Sequence, residues 1–243
     1  MANYPGAVAF FKQSLRSAAE SKIQETMSRP MSHTKAIALN HLDFAALLVS
    51  RVCHDLVSPV GAVVNGLEVL EDETDMAMRA DALRLVAASA EQAAARLQFA
   101  RIAFGAAGSA GAELDLAEVG RITSGLLKGG KVELVWKAEA VNWPKDWAKL
   151  LMNAVLVAAD CLPRGGRVHV ETGGDATAPK FVIRAAGTIA RLTPEVEWAL
   201  KGEPVAPLDG RSIQPYLTFH LSQGLALALS VGVAEGEVRF AAG

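Results

Sequence analysis

Residues 53–70 read CHDLVSPVGAVVNGLEVL, and this stretch decides how the N-terminal half of the chain folds. Apolar and small residues recur through it, and through the turns before it, at the three- and four-residue intervals typical of a helix with one apolar face. The stripe consists of Leu42, Ala45, Val49, Val52, Leu56, Val60, Val63, Leu67 and Leu70. It predicts one long helix.

A second apolar stripe follows the acidic run from Glu71 to Asp75, which suits a turn. It consists of Met76, Ala80, Leu83, Ala87, Ala90, Ala94, Leu97 and Phe104. Its alanine content favours a helix of similar length, so the two stripes predict an antiparallel helical hairpin. A lone hairpin leaves half of each stripe in water. A second copy would cover it, so we expect a homodimer with a four-helix bundle.

The glycine- and alanine-rich run at residues 105–111 (GAAGSAG) marks the best domain boundary. We expect three parts: an N-terminal extension and linker over 1–35, the hairpin over 36–105, and a second domain over 112–243. The second domain mixes helices, among them Leu114–Leu127 and Pro215–Val231, with alternating strand patterns such as Arg167–Thr172. This mixture predicts an α/β sandwich with one helical layer.

The composition excludes several classes of protein. A formal net charge of -2 gives no general attraction to nucleic acid or to a membrane surface. Two cysteines cannot build a disulfide framework or a four-ligand zinc site. No apolar run is expected to reach the length of a membrane span, and we expect a cytoplasmic protein.

His54 is the strongest candidate for chemistry. It lies two residues before the core position Leu56, a rotation of about 200°, so it should point away from the hairpin interior. A neutral imidazole in water is a good nucleophile, and Asp55 can accept its Nδ1 proton and raise the basicity of Nε2. Pro59 removes the helical hydrogen bond to the carbonyl of Asp55 and predicts a bend. The alternative is a surface histidine with no task.

Small polar groups continue the exposed face after His54. Ser58, Gly61 and Asn65 follow it at spacings of four, three and four residues, and Ser58 is the third candidate catalytic residue beside His54 and Asp55. We expect a partner to bind this face through Leu47, Arg51, Gly61 and Asn65. The alternative for the glycines Gly61 and Gly66 is a helix bend or close helix packing.

The segment around His54 resembles the phosphoacceptor helix of two-component histidine kinases, whose motif is H-[DE]-L-x-[ST]-P-[LV]. His54, Asp55, Ser58 and Pro59 match its fixed positions. The run from His54 to Leu70 is more similar to the ChpT-type histidine phosphotransferases of bacterial cell-cycle phosphorelays. This resemblance implies that His54 accepts a phosphoryl group from a receiver aspartate of a hybrid histidine kinase and passes it to response-regulator receivers, which supply Mg²⁺.

The second domain resembles a degenerate ATPase domain of such kinases. Asn153 matches the asparagine that holds Mg²⁺ in the first nucleotide box. The next box needs an aspartate where Arg184 or Ala185 stands, and it keeps only Gly187. The later glycine box keeps Gly224 alone. We therefore expect no ATP, no cofactor and no metal of its own. The rival hypotheses are an ATP-dependent histidine kinase core and a non-catalytic inhibitor that binds receivers.

Overall fold

The computed structural model describes residues 39–105, 112–139, 141–203, 207–210 and 212–243. The predicted N-terminal extension and residues 106–111 of the predicted linker lie outside the described part. The described residues belong to one compact unit, so the hairpin and the second domain pack against each other.

Six helices and seven strands make up the described part. The helices are α1 (His41–Asp72), α2 (Met76–Ala103), α3 (Leu116–Leu127), α4 (Lys145–Asp160), α5 (Pro194–Leu200) and α6 (Ile213–Gly224). The strands are β1 (Glu113–Asp115), β2 (Val132–Lys137), β3 (Asn142–Pro144), β4 (Gly166–Gly173), β5 (Lys180–Ala186), β6 (Ser230–Ala234) and β7 (Glu237–Ala242).

Helices α1 and α2 form the predicted hairpin, and side chains define its ends. Asn40 caps α1, and Asp75 caps α2 by accepting hydrogen bonds from the first backbone N–H groups. In the turn, the guanidinium of Arg79 donates to the carbonyl oxygens of Leu70 and Glu73, which the end of α1 leaves without helical partners. The turn is therefore held from the start of α2.

The apolar surface of α1 is divided between two faces. Val52, Leu56 and Val63 are half-buried, as the predicted stripe requires. A second set, which we call the outer apolar face, is at least 48% exposed and comprises Val49, Val57, Val60, Val64 and Leu67. The predicted stripe mixed residues of both faces and omitted Val57 and Val64. With two apolar faces, α1 is long and apolar enough to cross a membrane by length and composition alone, contrary to our expectation.

The second domain is a sandwich of one five-stranded sheet and a helical layer. Its strand order is β2-β4-β5-β7-β6, with β2 parallel to β4 and the other neighbours antiparallel. Helix α4 packs on this sheet through residues such as Leu151, which share a buried core with Val168, Ile183 and Phe240. Strands β1 and β3 form a separate antiparallel pair. The predicted layering is confirmed.

Two predicted helix boundaries are wrong. The helix expected from Leu114 begins at Leu116, because Leu114 pairs in β1 and Asp115 caps the helix. The helix expected over 215–231 ends at Gly224. Beyond it, Ala226 has a positive φ of 54°, and residues 225–230 alternate between half-buried and exposed, which is the period of an extended chain leading into β6.

The hairpin packs on the second domain at two places. Phe99 of α2 lies in a buried cluster with Ile122 of α3 and Met152 of α4. Phe44 of α1 packs beside Tyr216 of α6, with ring centroids 6.0 Å apart. These contacts set the second domain beside the middle of α1, where His54 lies.

Candidate functional site

His54 projects into solvent from the middle of α1. Its side chain is 81% exposed, as its place two residues before Leu56 predicts. The Nδ1 atom lies 3.5 Å from Oδ1 of Asp55, so the carboxylate faces this nitrogen of the ring. Nε2 is the nitrogen on the far side of the ring, away from this carboxylate.

The carboxylate of Asp55 is held from its other side by Arg51. Arg51 Nε donates to Asp55 Oδ2 at 3.0 Å, one turn back along α1. Arg51 Nη1 also donates to the carbonyl oxygen of Gly210 at 3.0 Å, in the segment before α6. Arg51 therefore connects the second domain to the residue beside His54. Sequence reasoning placed Arg51 on a partner-binding face and missed this internal contact.

The backbone of Asp55 has a partner on the second helix. Arg96 Nη1, on α2, donates to the carbonyl oxygen of Asp55. Sequence reasoning missed Arg96, although Pro59 signalled that this carbonyl needs a donor other than a helical N–H.

His54 and Asp55 open onto a cleft between α1 and the second domain. The cleft has a volume of about 930 Å³, and Asp160, Glu195 and Trp198 lie on its opposite side. A smaller cavity of about 160 Å³ is lined by Arg51, Asp55 and Arg96. Arg51 and Asp55 therefore line both cavities.

The other predicted site residues differ in accessibility. Ser58 and Asn65 are exposed on α1, and a Cβ added to Gly61 would meet nothing within 4 Å. Leu47, expected to be exposed, is half-buried and packs against a cluster containing Leu208 and Ile213. The expectation for Leu47 is wrong because the second domain covers this part of α1.

Asn153, the residue that matches the Mg²⁺-holding asparagine, is fully buried. Its Nδ2 donates to the carbonyl oxygens of Ala103 at 3.0 Å and Lys149 at 2.8 Å, and its Oδ1 accepts from Nε2 of Gln214. These bonds join the end of α2 to α4 and α6. Lys149 donates to the carbonyl of Gly105 at 2.8 Å, and burial lowers the pKa of its ammonium.

By the resemblance to kinases, Arg184 or Ala185 stands at the position of the adenine-binding aspartate, and Arg184 is the polar residue of the two. It donates to Oε1 of Glu171 on the neighbouring strand at 2.7 Å and accepts nothing. Neither Arg184 nor the hydrogen-bonded side chain of Asn153 offers an unbonded acceptor to a Mg²⁺-nucleotide. Among the described residues, no group of three or more His, Cys, Asp and Glu is placed to hold a metal ion.

Two further histidines have structural surroundings. His169 lies half-buried on β4, beside Arg184 of β5. His220 of α6 has its ring centroid 4.5 Å from that of Tyr216 and 5.8 Å from that of Phe44, and burial lowers its pKa. Among the contacts of the described residues, neither histidine faces a carboxylate as His54 does.

Comparison with known proteins agrees with this geometry. Residues 116–237 match the model of the histidine phosphotransferase C-terminal domain. The chain is 41% identical over 207 residues to protein phosphotransferase ChpT of Brucella abortus (strain 2308), covering 85% of this chain and 98% of that protein. It is 38% identical to a solved bacterial phosphotransferase structure, with a TM-score of 0.76, covering 86% of this chain and 99% of that one.

The hairpin and sandwich, together with these three matches, define a histidine phosphotransferase, an enzyme of phosphorelays. The chain belongs to the ChpT-type histidine phosphotransferase family. Membership implies that its partners are receiver domains.

Proposed function

We propose that His54 carries the phosphoryl group. It takes the group from the aspartyl phosphate of a hybrid histidine kinase's receiver and passes it to the aspartate of a response-regulator receiver. The observation that carries this proposal is the exposed imidazole whose Nδ1 faces a carboxylate held by Arg51. The open cleft beside His54 leaves room for a partner to approach.

The transfer is an in-line displacement at phosphorus. Asp55 keeps the ring proton on Nδ1, so the lone pair of Nε2 attacks; the P–N bond forms as the P–O bond to the donor aspartate breaks. The donor carboxylate leaves with its electron pair, and Asp55 balances the positive charge on the phosphorylated ring. The second transfer is the reverse step with a different receiver. Ser58, one turn further along α1, would orient the phosphoryl group.

The partner surface consists of the exposed flank of α1 and the cleft. Gly61 and Asn65 extend the face on which His54 lies, and Gly61 lets a partner helix approach the backbone closely. Arg51 contributes where it lines the cleft. The receiver's own acidic pocket supplies Mg²⁺, so the chain needs no metal, cofactor or ATP.

The active form that we propose is a cytoplasmic homodimer. The outer apolar face of α1 is exposed in the single chain, and so are Leu83 and Leu97 of α2. Two hairpins that pack these surfaces together form a four-helix bundle and remove them from water. The lining of the cleft, by contrast, is mixed in charge and polarity, as suits a transient partner.

The experiment mixes the protein with a phosphorylated donor receiver and maps acid-labile phosphate by mass spectrometry at neutral pH. We expect one phosphorylated residue, His54, and none in His54→Ala. His41→Ala is the matched control, because His41 is an exposed histidine of the same helix and should leave the transfer intact. Phosphate retained by His54→Ala would contradict the assignment.

A further inference from the structure

The carbonyl of Asp55 cannot accept a normal helical hydrogen bond. In an α-helix this oxygen accepts from the N–H four residues later, and that position is Pro59, which has no N–H. Pro59 is buried within α1, and Asp55 is half-buried. A partly buried carbonyl without a donor is unfavourable, and a donor from another element removes that cost.

Arg96 of α2 supplies that donor. It lies 41 residues further along the chain, and its Nη1 donates to the carbonyl oxygen of Asp55. The guanidinium is half-buried and lines the small cavity that Asp55 and Arg51 also line. Asp55 is therefore held twice, through its carboxylate by Arg51 and through its carbonyl by Arg96.

We propose that Arg96 is a positioning residue for phosphotransfer. It fixes the peptide that Pro59 leaves without a helical bond, and so sets the direction of the Asp55 carboxylate and of the adjacent His54 ring. The inference rests on the proposed role of His54. Without Arg96, α1 can bend at Asp55 in several ways, and a small displacement of a reacting group lowers the transfer rate steeply.

The first test compares three variants in transfer from a phosphorylated receiver. Arg96→Met removes the donors and keeps much of the volume, Arg96→Lys keeps one charged donor, and Arg84→Met is a matched control on the same helix. Arg84 is exposed and pairs with Asp81 on the surface. We expect Arg96→Met to lower the maximum rate by about tenfold or more. The receiver concentration for half-maximal rate should be unchanged, Arg96→Lys should recover part of the rate, and Arg84→Met should match the wild type.

The second test uses Pro59→Ala, which restores an N–H to position 59. In that background the carbonyl of Asp55 has a helical donor, so Arg96→Met should lower the rate by less than about threefold further. A wild-type rate in Arg96→Met, or an equal loss in both backgrounds, would overturn the proposal. If Arg96→Met does not fold, Arg96→Lys and the double variant still decide it.

Urea unfolding of the wild type, Pro59→Ala, Arg96→Met and the double variant separates this inference from the assignment of His54. If the effects of the two substitutions on the unfolding midpoint are not additive, positions 59 and 96 are coupled through the hydrogen bond. This measurement needs no phosphate. Phosphate retained by His54→Ala would refute the phosphoacceptor and leave that coupling in place. Additive effects of the two substitutions on the unfolding midpoint would refute the role of Arg96 and leave the assignment of His54 unaffected.

Discussion

Gln214 and Asn153 share a hydrogen bond in the fully buried contact between α6 and α4, where the amide nitrogen of Gln214 donates to the side-chain oxygen of Asn153. That oxygen is the atom that a bound Mg²⁺ would need. The side chain of Asn153 also donates to the backbone at the end of α2, so it joins three helices. An asparagine of the nucleotide-box type has become part of the contact between the hairpin and the second domain.

We predict that the protein does not bind Mg²⁺-ATP. The polar atoms of Asn153 are hydrogen-bonded to protein groups. By the resemblance, Arg184 or Ala185 stands where an acceptor for adenine is needed, and neither side chain can accept. Calorimetric titration should show no binding at micromolar nucleotide. Gln214→Ala, which frees the oxygen of Asn153, should bind no better, because Arg184 is unchanged. Micromolar binding by the wild type would restore the kinase interpretation.

We predict that charge on the outer apolar face of α1 separates the proposed dimer. Val57→Glu combined with Val64→Glu would place carboxylates in the centre of a bundle, where burial of unpaired charge is strongly unfavourable. Light scattering at micromolar concentration should give the mass of a dimer for the wild type and of a monomer for the double variant. Val233→Glu, at an equally exposed valine of β6, is the control and should remain a dimer. A monomeric wild type would contradict the prediction.

Gly61→Arg should block receiver docking and leave the fold intact. An added Cβ at Gly61 meets nothing within 4 Å, so the long side chain extends into the space that the partner needs. Arginine also favours a helix more than glycine does. The dimer mass should match the wild type and the melting temperature should be no lower. The phosphotransfer rate should fall by about tenfold or more, the effect of losing close packing at a contact. An unchanged transfer rate would leave Gly61 with no role beyond relief near Pro59.

Gly66→Ala should be less stable than Gly61→Ala. A Cβ at Gly66 would lie 2.6 Å from Cγ2 of Val86 on α2, whereas Gly61 faces open space. Valine has few rotamers in a helix, so Val86 cannot easily move away from a Cβ at position 66. The cost of this contact should offset or exceed the gain in helix propensity, which is about 1 kcal/mol. Urea unfolding should rank Gly61→Ala above the wild type and Gly66→Ala below Gly61→Ala. The reverse order would contradict close packing at Gly66.

Cys161 should resist alkylation in the native protein. Burial raises the pKa of its thiol to about 12, so the reactive thiolate is scarce at pH 8. In a Cys53→Ser background, which removes the exposed cysteine, mass spectrometry after treatment with N-ethylmaleimide should show no label. The same protein unfolded in guanidinium should take one label. Rapid labelling of the native variant would show that the end of α4 opens readily.

Local pattern predicted most of the elements and the orientation of the candidate histidine. The predicted spans of α1, α2 and β4 match the structure within a few residues, because residue period and capping groups act over one or two turns. The exposure of His54 followed from its offset to Leu56. The predicted end of α6 was wrong. Alternating leucines fit a helix and an extended chain alike when the register of the neighbouring strand is unknown.

The sequence by itself determined the hairpin, the sandwich, the carboxylate beside His54 and the carbonyl that Pro59 leaves without a helical bond. Only the tertiary structure decided which groups bind that carboxylate and that carbonyl. Arg96 reaches Asp55 across 41 residues of chain, and Arg51 reaches Gly210 across 159. Leu47 is half-buried because the second domain packs on the hairpin, and Asn153 donates to Ala103 across the same contact. Such contacts depend on the packing of elements far apart in the chain, which residue patterns within a few turns do not encode.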